Sequence, residues 1–450
     1  MKNWKNTCYV AFACLIVLSA CKKQEVELGR LGELDFSRPA AIGGNFLSGY
    51  QDGALYGKGQ MNSIPALLYR NSSNYGGAEL TIPYLSDNYD EGIGVNLKFW
   101  ESLFQTKSGL GDRTDCNGEV SLGPVKTLYT ANTFADFNNL SSYSGLYQCV
   151  PYMSTGDMWN ADFGAASNTR IPYYHRFASA PGTSTSAQDL IAANPSFVTI
   201  WLGMEDIYNY AINGGKDSTI PSKADFKANM IALLDGITAN GAKGVIANIP
   251  SIDHFPFFNL IPFNGANLDQ AQADELNGLY QLSGMSHINF EEGANGFITF
   301  DDDAPSGIRK MIQGERLLLT APLDSMKCYL YGLLVKYVDQ RYMLTLEEIS
   351  NIQAATIGYN EVIMELAKTY DFAFFDADAY FSEVSSGIKW NGANFSLEFV
   401  SGGFLSLDGL HPNQKGYELL TNEMIKSINT HYKSRIPTIN CSDCDGTLFP

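Results

Sequence analysis

The sequence predicts an α/β fold, in which a mostly parallel β-sheet carries helices on both faces. Four short runs are almost continuously apolar, which is typical of strands buried on both sides, and they lie at 40–43, 197–202, 244–249 and 372–375. Segments with helical periodicity separate these runs. Strands that alternate with helices favour a doubly wound α/β domain.

Three helices are predicted with particular clarity. Thr345-Leu346-Glu347-Glu348 has the form of a capping box, in which the Thr and the second Glu satisfy backbone N–H groups at a helix start. Apolar residues follow it at helical spacing as far as Leu366. The other two helices are predicted at about 223–240 and at 414–430.

The first twenty residues have the pattern of an export signal. Lys2 and Lys5 precede an apolar run, and the segment ends in Leu18-Ser19-Ala20-Cys21. The run of about ten residues is too short for a bilayer core, which needs roughly 20. The final tetrad resembles a bacterial lipobox, whose cysteine is acylated. We therefore expect a lipoprotein of the cell envelope, anchored through Cys21, with a soluble secreted protein as the alternative.

The charge balance limits the partners. The chain has a formal net charge of −18, whereas binding to nucleic acid needs clustered Lys and Arg. We expect no nucleic-acid partner and no cofactor. The outer membrane is the favoured location, and both a periplasmic and a surface-exposed orientation stay open, as does the oligomeric state.

The cysteines beyond Cys21 do not reveal their pairing. They are five in number, which leaves at least one without an intramolecular partner: Cys116, Cys149, Cys328, Cys441 and Cys444. Cys441 and Cys444 have the spacing of a redox or metal pair, but no second pair of ligands is near them in the sequence. A local disulfide or two free thiols is the favoured interpretation.

Two segments at opposite ends of the chain carry the motifs that point to a function. Gly43-Gly44-Asn45-Phe46-Leu47-Ser48-Gly49-Tyr50-Gln51-Asp52-Gly53 follows the first predicted strand, and Ser406-Leu407-Asp408-Gly409-Leu410-His411-Pro412 precedes the last predicted helix. Together they resemble the first and last sequence blocks of the SGNH (GDSL-type) hydrolases. The resemblance implies a flavodoxin-like three-layer α/β/α sandwich. It also implies a serine nucleophile, a histidine base and an aspartate that orients the histidine.

The last block matches the family and the first departs from it. The resemblance gives His411 the role of the base and Asp408 that of its partner. When the first block is anchored on its glycines, Asn45 occupies the serine position, and an amide supplies no nucleophile. Ser48 is the alternative nucleophile, but it lies about 4.5 Å further along a helix axis. A Ser–His hydrogen bond spans only about 3 Å, so Ser48 would need a rebuilt turn.

The middle blocks place two residues at the positions that stabilise an oxyanion in the family. Gly145 is the candidate for the backbone donor. Glu205 stands where the pattern Gly-x-Asn-Asp has asparagine, within Leu202-Gly203-Met204-Glu205-Asp206. An ionised carboxylate about 4 Å from an oxyanion would oppose it by ~4 kcal/mol at intermediate dielectric. Only a protonated Glu205 could donate a hydrogen bond there, and burial could raise its pKa enough.

Because the family blocks lie near both ends, one domain must extend over most of the chain. We expect a signal peptide at 1–20, a tether at 21–36, a single domain at 37–432 and a polar tail at 433–450. Insertions at about 55–195 and 255–345 are expected to form loops and small helices above the strand ends, where an open α/β sheet builds its pocket.

Three functions remain open. The favoured one is a lipid-anchored hydrolase-like protein, weakly active or inactive, that binds a glycan or an acylated ligand, because the catalytic centre departs from the family at two positions. The second is an active ester or acyl hydrolase (an esterase, lipase or carbohydrate deacetylase) that uses Ser48 with Asp408 and His411. The third is a metal-dependent or acid–base hydrolysis that uses Glu205 and Asp206 with that same pair.

Overall fold

The computed structural model describes residues 31–84, 92–94, 107–126, 144–163, 173–216, 218–334, 336–440 and 444–447. The predicted signal peptide, most of the tether, Cys21 and Cys441 lie outside these residues. None of the described helices is both long and apolar enough to cross a membrane.

The strands of the described residues fall into one larger sheet and several two-stranded pairs. They are β1 (Pro39–Gly43), β2 (Ala54–Tyr56), β3 (Gly92–Gly94), β4 (Ser108–Thr114), β5 (Val120–Lys126), β6 (Tyr147–Cys149), β7 (Phe197–Trp201), β8 (Lys243–Ala247), β9 (Ala266–Leu268), β10 (Gly293–Asn295), β11 (Ile298–Phe300), β12 (Ile308–Lys310), β13 (Arg316–Leu317), β14 (Met343–Leu344), β15 (Ala373–Phe375), β16 (Ile388–Trp390) and β17 (Ala393–Phe395).

The α-helices vary from single turns to a helix of 24 residues. They are α1 (Asn45–Ser48), α2 (Gly57–Met61), α3 (Ile64–Ser73), α4 (Ser186–Ala192), α5 (Met204–Ala211), α6 (Lys223–Thr238), α7 (Pro256–Asn259), α8 (Gln270–Leu282), α9 (Leu323–Cys328), α10 (Leu346–Thr369), α11 (Ala377–Ser385) and α12 (Gln414–Tyr432).

The core of the fold is a five-stranded sheet with the order β15-β8-β7-β1-β6, and every pairing in it is parallel. This confirms the predicted α/β class, and the four apolar runs correspond to β1, β7, β8 and β15. Gly43 at the end of β1 is in register with Trp201 and with Cys149. The carboxyl ends of β1, β6 and β7 therefore meet at one edge of the sheet.

Strand β6 is the part of the sheet that the sequence did not reveal. Its three residues have the polar Gln148 at their centre, which interrupts the kind of apolar run that marked the other four strands. It lies inside 55–195, a range that we expected to form an insertion, and so does α3, which packs on β1 and on α12. Part of this range therefore belongs to the core of the domain and not to its rim.

Two groups of helices pack on the central sheet. One consists of α12 and α3, and the other includes α10, α6 and α5. The capping box at the start of α10 forms as predicted: Thr345 Oγ1 accepts from the Glu348 backbone N–H, and Glu348 Oε2 accepts from that of Thr345. Phe226 of α6 stacks on Tyr359 of α10, with 4.0 Å between the ring centres, which joins the two long helices.

The second insertion has a small hydrophobic core of its own. Residues 261–343, which we call the insert subdomain, contain the antiparallel pairs β9–β10 and β11–β12 together with α8. Its central side chains include Tyr280, whose hydroxyl donates to the Leu333 carbonyl at 2.6 Å. The expectation of loops and small helices was therefore incomplete, because this segment buries enough apolar residues to form a separate cluster.

Disulfide bonding accounts for several of the cysteines. Cys116, in the turn between β4 and β5, is bonded to Cys328 at the end of α9. This bond joins the two insertions. Cys444 is also disulfide-bonded, whereas Cys149 is a buried free thiol in β6.

Candidate functional site

The candidate site lies at the carboxyl edge of the central sheet, where ligand sites form in open α/β folds. Asn45 begins α1 directly after β1, and Glu205 lies in the first turn of α5 after β7. Asp408 and His411 lie in the turn that precedes α12. The structure therefore brings together four of the residues that the sequence singled out.

His411 and Asp408 form a hydrogen-bonded pair. The distance between His411 Nδ1 and Asp408 Oδ2 is 2.9 Å. Asp408 also accepts backbone N–H groups from Leu410 at 2.9 Å, from His411 at 2.8 Å and from Gly53 at 3.1 Å. Burial alone would raise the pKa of Asp408, but the charge of His411 and these hydrogen bonds outweigh it and hold the pKa below its usual value. Asp408 is therefore ionised and orients the imidazole.

The imidazole of His411 is fixed by aromatic packing as well. Its ring centre lies 5.2 Å from that of Phe46 and 4.9 Å from that of Tyr50, both of which follow Asn45 in the chain. His411 is only 4% exposed. No hydrogen bond engages its Nε2 among the described residues.

Asp52 is a site residue that the sequence reasoning missed as a participant, although it belongs to the quoted first block. Its Oδ1 accepts from the Leu407 N–H at 3.0 Å, and its own N–H donates to Ser406 Oγ at 2.9 Å. These bonds hold the turn that carries Asp408 and His411. Burial, aided by the charge of Asp408, raises the pKa of Asp52 to about 6.

Asn45 is locked in place through both its backbone and its side chain. Its N–H donates to Glu205 Oε1 at 2.7 Å, and its Oδ1 accepts from the Tyr152 N–H at 3.0 Å. Tyr152 follows β6 and is held in turn by Asn209, whose Nδ2 donates to the Tyr152 carbonyl at 3.2 Å. The amide oxygen of Asn45 therefore lies at the N-terminus of α1, where it accepts a backbone hydrogen bond.

Ser48 lies one helical turn after Asn45 and is fully buried. Its hydroxyl donates to the Asn45 carbonyl at 3.0 Å, which is the usual back-bonding of a serine within a helix. Within the described part of the chain, no hydrogen bond joins Ser48 to His411. The rebuilt turn that Ser48 would need as a nucleophile is not observed.

Glu205 packs directly over Gly44. A Cβ atom at residue 44 would overlap the Glu205 carboxyl group, so only glycine permits this approach. Glu205 Oε1 accepts from Asn45, and Oε2 is buried without a hydrogen-bond partner. Burial raises the pKa of Glu205 to about 8, although the hydrogen bond from Asn45 acts in the opposite direction. Glu205 is therefore mainly protonated at neutral pH.

The prediction for Gly145 was wrong. Gly145 precedes β6, whereas Asn45 and Glu205 follow the carboxyl ends of parallel strands, so Gly145 lies towards the opposite edge of the sheet. A Cβ atom there would lie 3.0 Å from the Asp189 carbonyl oxygen of α4. The error arose because β6 was not recognised. After β6, the backbone N–H of Tyr152 reaches the site, where it donates to Asn45.

Two backbone donors at the site, those of residues 45 and 152, are thus already engaged. In acyl transfer, free N–H groups must point at the position where negative charge develops on the substrate oxygen. Here the Asn45 N–H binds Glu205 Oε1, and the Tyr152 N–H binds Asn45 Oδ1. Side-chain oxygens of the protein therefore take the places that a substrate oxygen would need.

Asp206, beside Glu205, has a structural role, which is to bind Thr155. Its Oδ1 accepts from Thr155 Oγ1 at 2.6 Å and its Oδ2 from the Thr155 N–H at 2.8 Å, which ties the segment after β6 to α5. Burial raises the pKa of Asp206 to about 6. No group of three or more His, Cys, Asp or Glu residues in the described ranges is arranged to hold a metal ion. The metal hypothesis therefore gains no ligand set from this geometry.

The parallel sheet, the short helix after β1 and the His–Asp pair at its carboxyl edge are the features of a hydrolase-type α/β domain. The model of one family, GDSL-like Lipase/Acylhydrolase, matches residues 130–424. The chain belongs to this family, which confirms the resemblance inferred from its motifs. The match includes Glu205, Asp408 and His411 but begins after Asn45 and Ser48. No curated protein matches the chain.

The protonation of Glu205 predicts how the stability of the protein depends on pH. Because its pKa in the folded state, about 8, exceeds the usual 4.5, folding favours the protonated form. The stabilisation that a protonated Glu205 contributes is then fully present below pH 4.5 and decreases as the pH rises towards 8. Between pH 6 and pH 8 we expect the free energy of unfolding to fall by roughly 2–3 kcal/mol.

The measurement is urea unfolding at several pH values for the wild type and for Glu205→Gln, which keeps an acceptor oxygen but cannot ionise. The difference between the two pH profiles isolates residue 205 from all other groups. Asp52 and Asp206 titrate near pH 6 in both proteins, so they cancel in this difference. Parallel profiles for the two proteins would contradict the assignment.

Proposed function

We propose that this protein is a lipid-anchored member of the GDSL family in the cell envelope that binds an acylated ligand or a glycan without hydrolysing it by serine chemistry. One observation carries the proposal. The backbone N–H groups of Asn45 and Tyr152 are engaged by Glu205 Oε1 and Asn45 Oδ1. A site whose donors are internally satisfied lacks the main stabilisation of an acyl-transfer transition state.

The missing nucleophile supports the same conclusion. Loss of the serine of a catalytic triad typically lowers turnover on the order of a millionfold. Asn45 has no hydroxyl, and the hydroxyl of Ser48 is directed to the Asn45 carbonyl. The alternative of an active hydrolase that uses Ser48 therefore lacks geometric support.

Features that favour binding are retained beside these losses. Asp408 and His411 keep their hydrogen bond, and the proposed ligand bonds to the imidazole Nε2, which no described residue engages. A protonated Glu205 does not repel a carbonyl or hydroxyl group as a carboxylate would. The insertions around the site are rich in Tyr, Phe, Asn and Gly, which suit stacking and hydrogen bonding to sugars.

We expect no serine-type esterase activity in the wild type and a gain of activity when the family residues are restored. The assay is p-nitrophenyl acetate hydrolysis by protein that lacks residues 1–21. Wild type and His411→Ala should be equally slow. Asn45→Ser combined with Glu205→Asn should be faster by about a thousandfold, because it supplies a hydroxyl and frees the residue-45 N–H.

One single variant and one triple variant serve as controls for this assay. Asn45→Ser alone should gain less, because Glu205 still occupies the backbone donor. Adding His411→Ala to the double variant should abolish the gain. Wild-type hydrolysis that disappears in Ser48→Ala would overturn the proposal in favour of an active enzyme.

Ligand binding is tested with defined probes. Saturation-transfer NMR with an O-acetylated xylo-oligosaccharide and its deacetylated form would show binding and the contribution of the acyl group. We expect His411→Ala to weaken binding by about tenfold, the effect of losing one hydrogen bond of roughly 1.4 kcal/mol. The exposed substitution Lys223→Ala on α6 is the control. Equal binding by His411→Ala and the control would place the ligand elsewhere.

The membrane anchor is tested separately, because it depends on the sequence around Cys21. Metabolic labelling with a fatty-acid analogue should mark the wild type and leave Cys21→Ser unlabelled. Stable attachment needs more than one acyl chain, since a single chain binds membranes only reversibly. The variant should therefore leave the membrane fraction, and its retention there would contradict lipid anchoring.

A further inference from the structure

The β4–β5 hairpin begins beside the His411–Asp408 pair. The Ser108 N–H, at the start of β4, donates to the Asp52 carbonyl at 2.8 Å. Next to it, Lys107 Nζ lies 4.7 Å from the ring centre of Tyr56, whose hydroxyl donates to Asp52 Oδ2 at 2.9 Å. The hairpin therefore begins at the residue that holds the turn carrying His411.

The tip of the same hairpin is attached to the insert subdomain. The Cys116–Cys328 disulfide joins it to the end of α9, and Lys327 pairs with Asp115 and, at 3.0 Å, with Glu119. Exposed ion pairs of this kind contribute little by themselves. The disulfide is therefore the main fastening at this point.

The insert subdomain is also connected to the turn that carries Asp408 and His411. The Leu319 N–H donates to the Phe257 carbonyl at 2.9 Å, and the Phe257 N–H donates to the Gly409 carbonyl at 3.0 Å. Gly409 has a φ of 72°, and a Cβ atom there would lie 3.0 Å from Leu319 Cδ2. Gly409 directly follows Asp408, so this contact also ends at the His411 turn.

These contacts link three parts of the chain into one continuous structure, which we call the strap. It consists of the β4–β5 hairpin, the disulfide, and the segment from α9 back to Leu319 and Phe257. One end of the strap bonds to Asp52 and the other to Gly409. We propose that the strap, closed by Cys116–Cys328, restricts access to the His411 imidazole. This inference rests on the proposed function, because it concerns access to the same ligand site.

The disulfide is suited to control the strap. It joins residues that are 212 positions apart in the chain, and so fixes the tip of the β4–β5 hairpin to α9. Cys116 is exposed and Cys328 is half-buried, so a thiol reductant can reach the bond. A dithiol would supply two electrons and two protons, the S–S bond would break, and both residues would become thiols while the dithiol became a cyclic disulfide.

The test measures the accessibility of His411 without any ligand. Diethyl pyrocarbonate modifies accessible unprotonated imidazoles, and peptide mass spectrometry gives a rate for each histidine. With Cys116→Ser/Cys328→Ser, we expect the His411 rate to rise by about tenfold, because local opening becomes easier. Wild type treated with dithiothreitol should show the same rise, which covers the case in which the variant does not fold. Lys327→Gln keeps the disulfide and should change the rate less than about twofold.

His254 and His431, which lie outside the strap, are internal references. A rise at His411 alone supports the proposal. An unchanged His411 rate in folded, reduced protein overturns it, and so does an equal rise at all three histidines, because that would report general loosening. This readout does not depend on hydrolysis or binding, so its failure and the failure of the proposed function can be told apart.

Discussion

The organisation of the site depends on the contact between the Glu205 carboxyl group and the backbone N–H of Asn45. This contact requires glycine at position 44, because any side chain would collide with the carboxyl group. Burial of the carboxyl group, and not this hydrogen bond, favours a protonated Glu205, since a carboxylate whose Oε2 has no partner among the described residues would carry a large desolvation penalty. In the sequence, the departures from the family at positions 45 and 205 look independent. In the structure they are adjacent, because the Glu205 carboxyl group accepts the backbone N–H of residue 45.

Asp408 of the His–Asp pair has two roles: it orients the imidazole, and it joins the turn before α12 to the first block. Asp408 accepts from the imidazole, and it also accepts from the Gly53 N–H, which belongs to the first block. Asp52 makes the reciprocal connection by accepting from Leu407. The pair is therefore part of the joint between two distant segments of the chain. Its presence would be expected on structural grounds even without catalysis.

The sequence predicted those features that local patterns encode. Apolar runs identified four strands of the central sheet, and Thr345 with Glu348 marked the start of α10. Strand β6 was missed because the polar Gln148 interrupts its three residues, so no apolar run marked it, and the error for Gly145 followed from it. The Cys116–Cys328 bond and the bonds of Asp52 join residues far apart in the chain, which no local pattern reveals.

The polypeptide keeps unfavourable features at this edge of the sheet. Asp52 and Tyr152 have φ values of 56° and 62°, a region that costs non-glycine residues about 1–3 kcal/mol each. Glu205 Oε2 is buried without a partner, which costs a further roughly 1–3 kcal/mol. A region that served only as scaffold would gain stability from substitutions that remove these features. Strain and unpaired groups of this kind collect at functional sites, so the presence of these three beside the Asn45–His411 site agrees with the proposal that a ligand site is retained there.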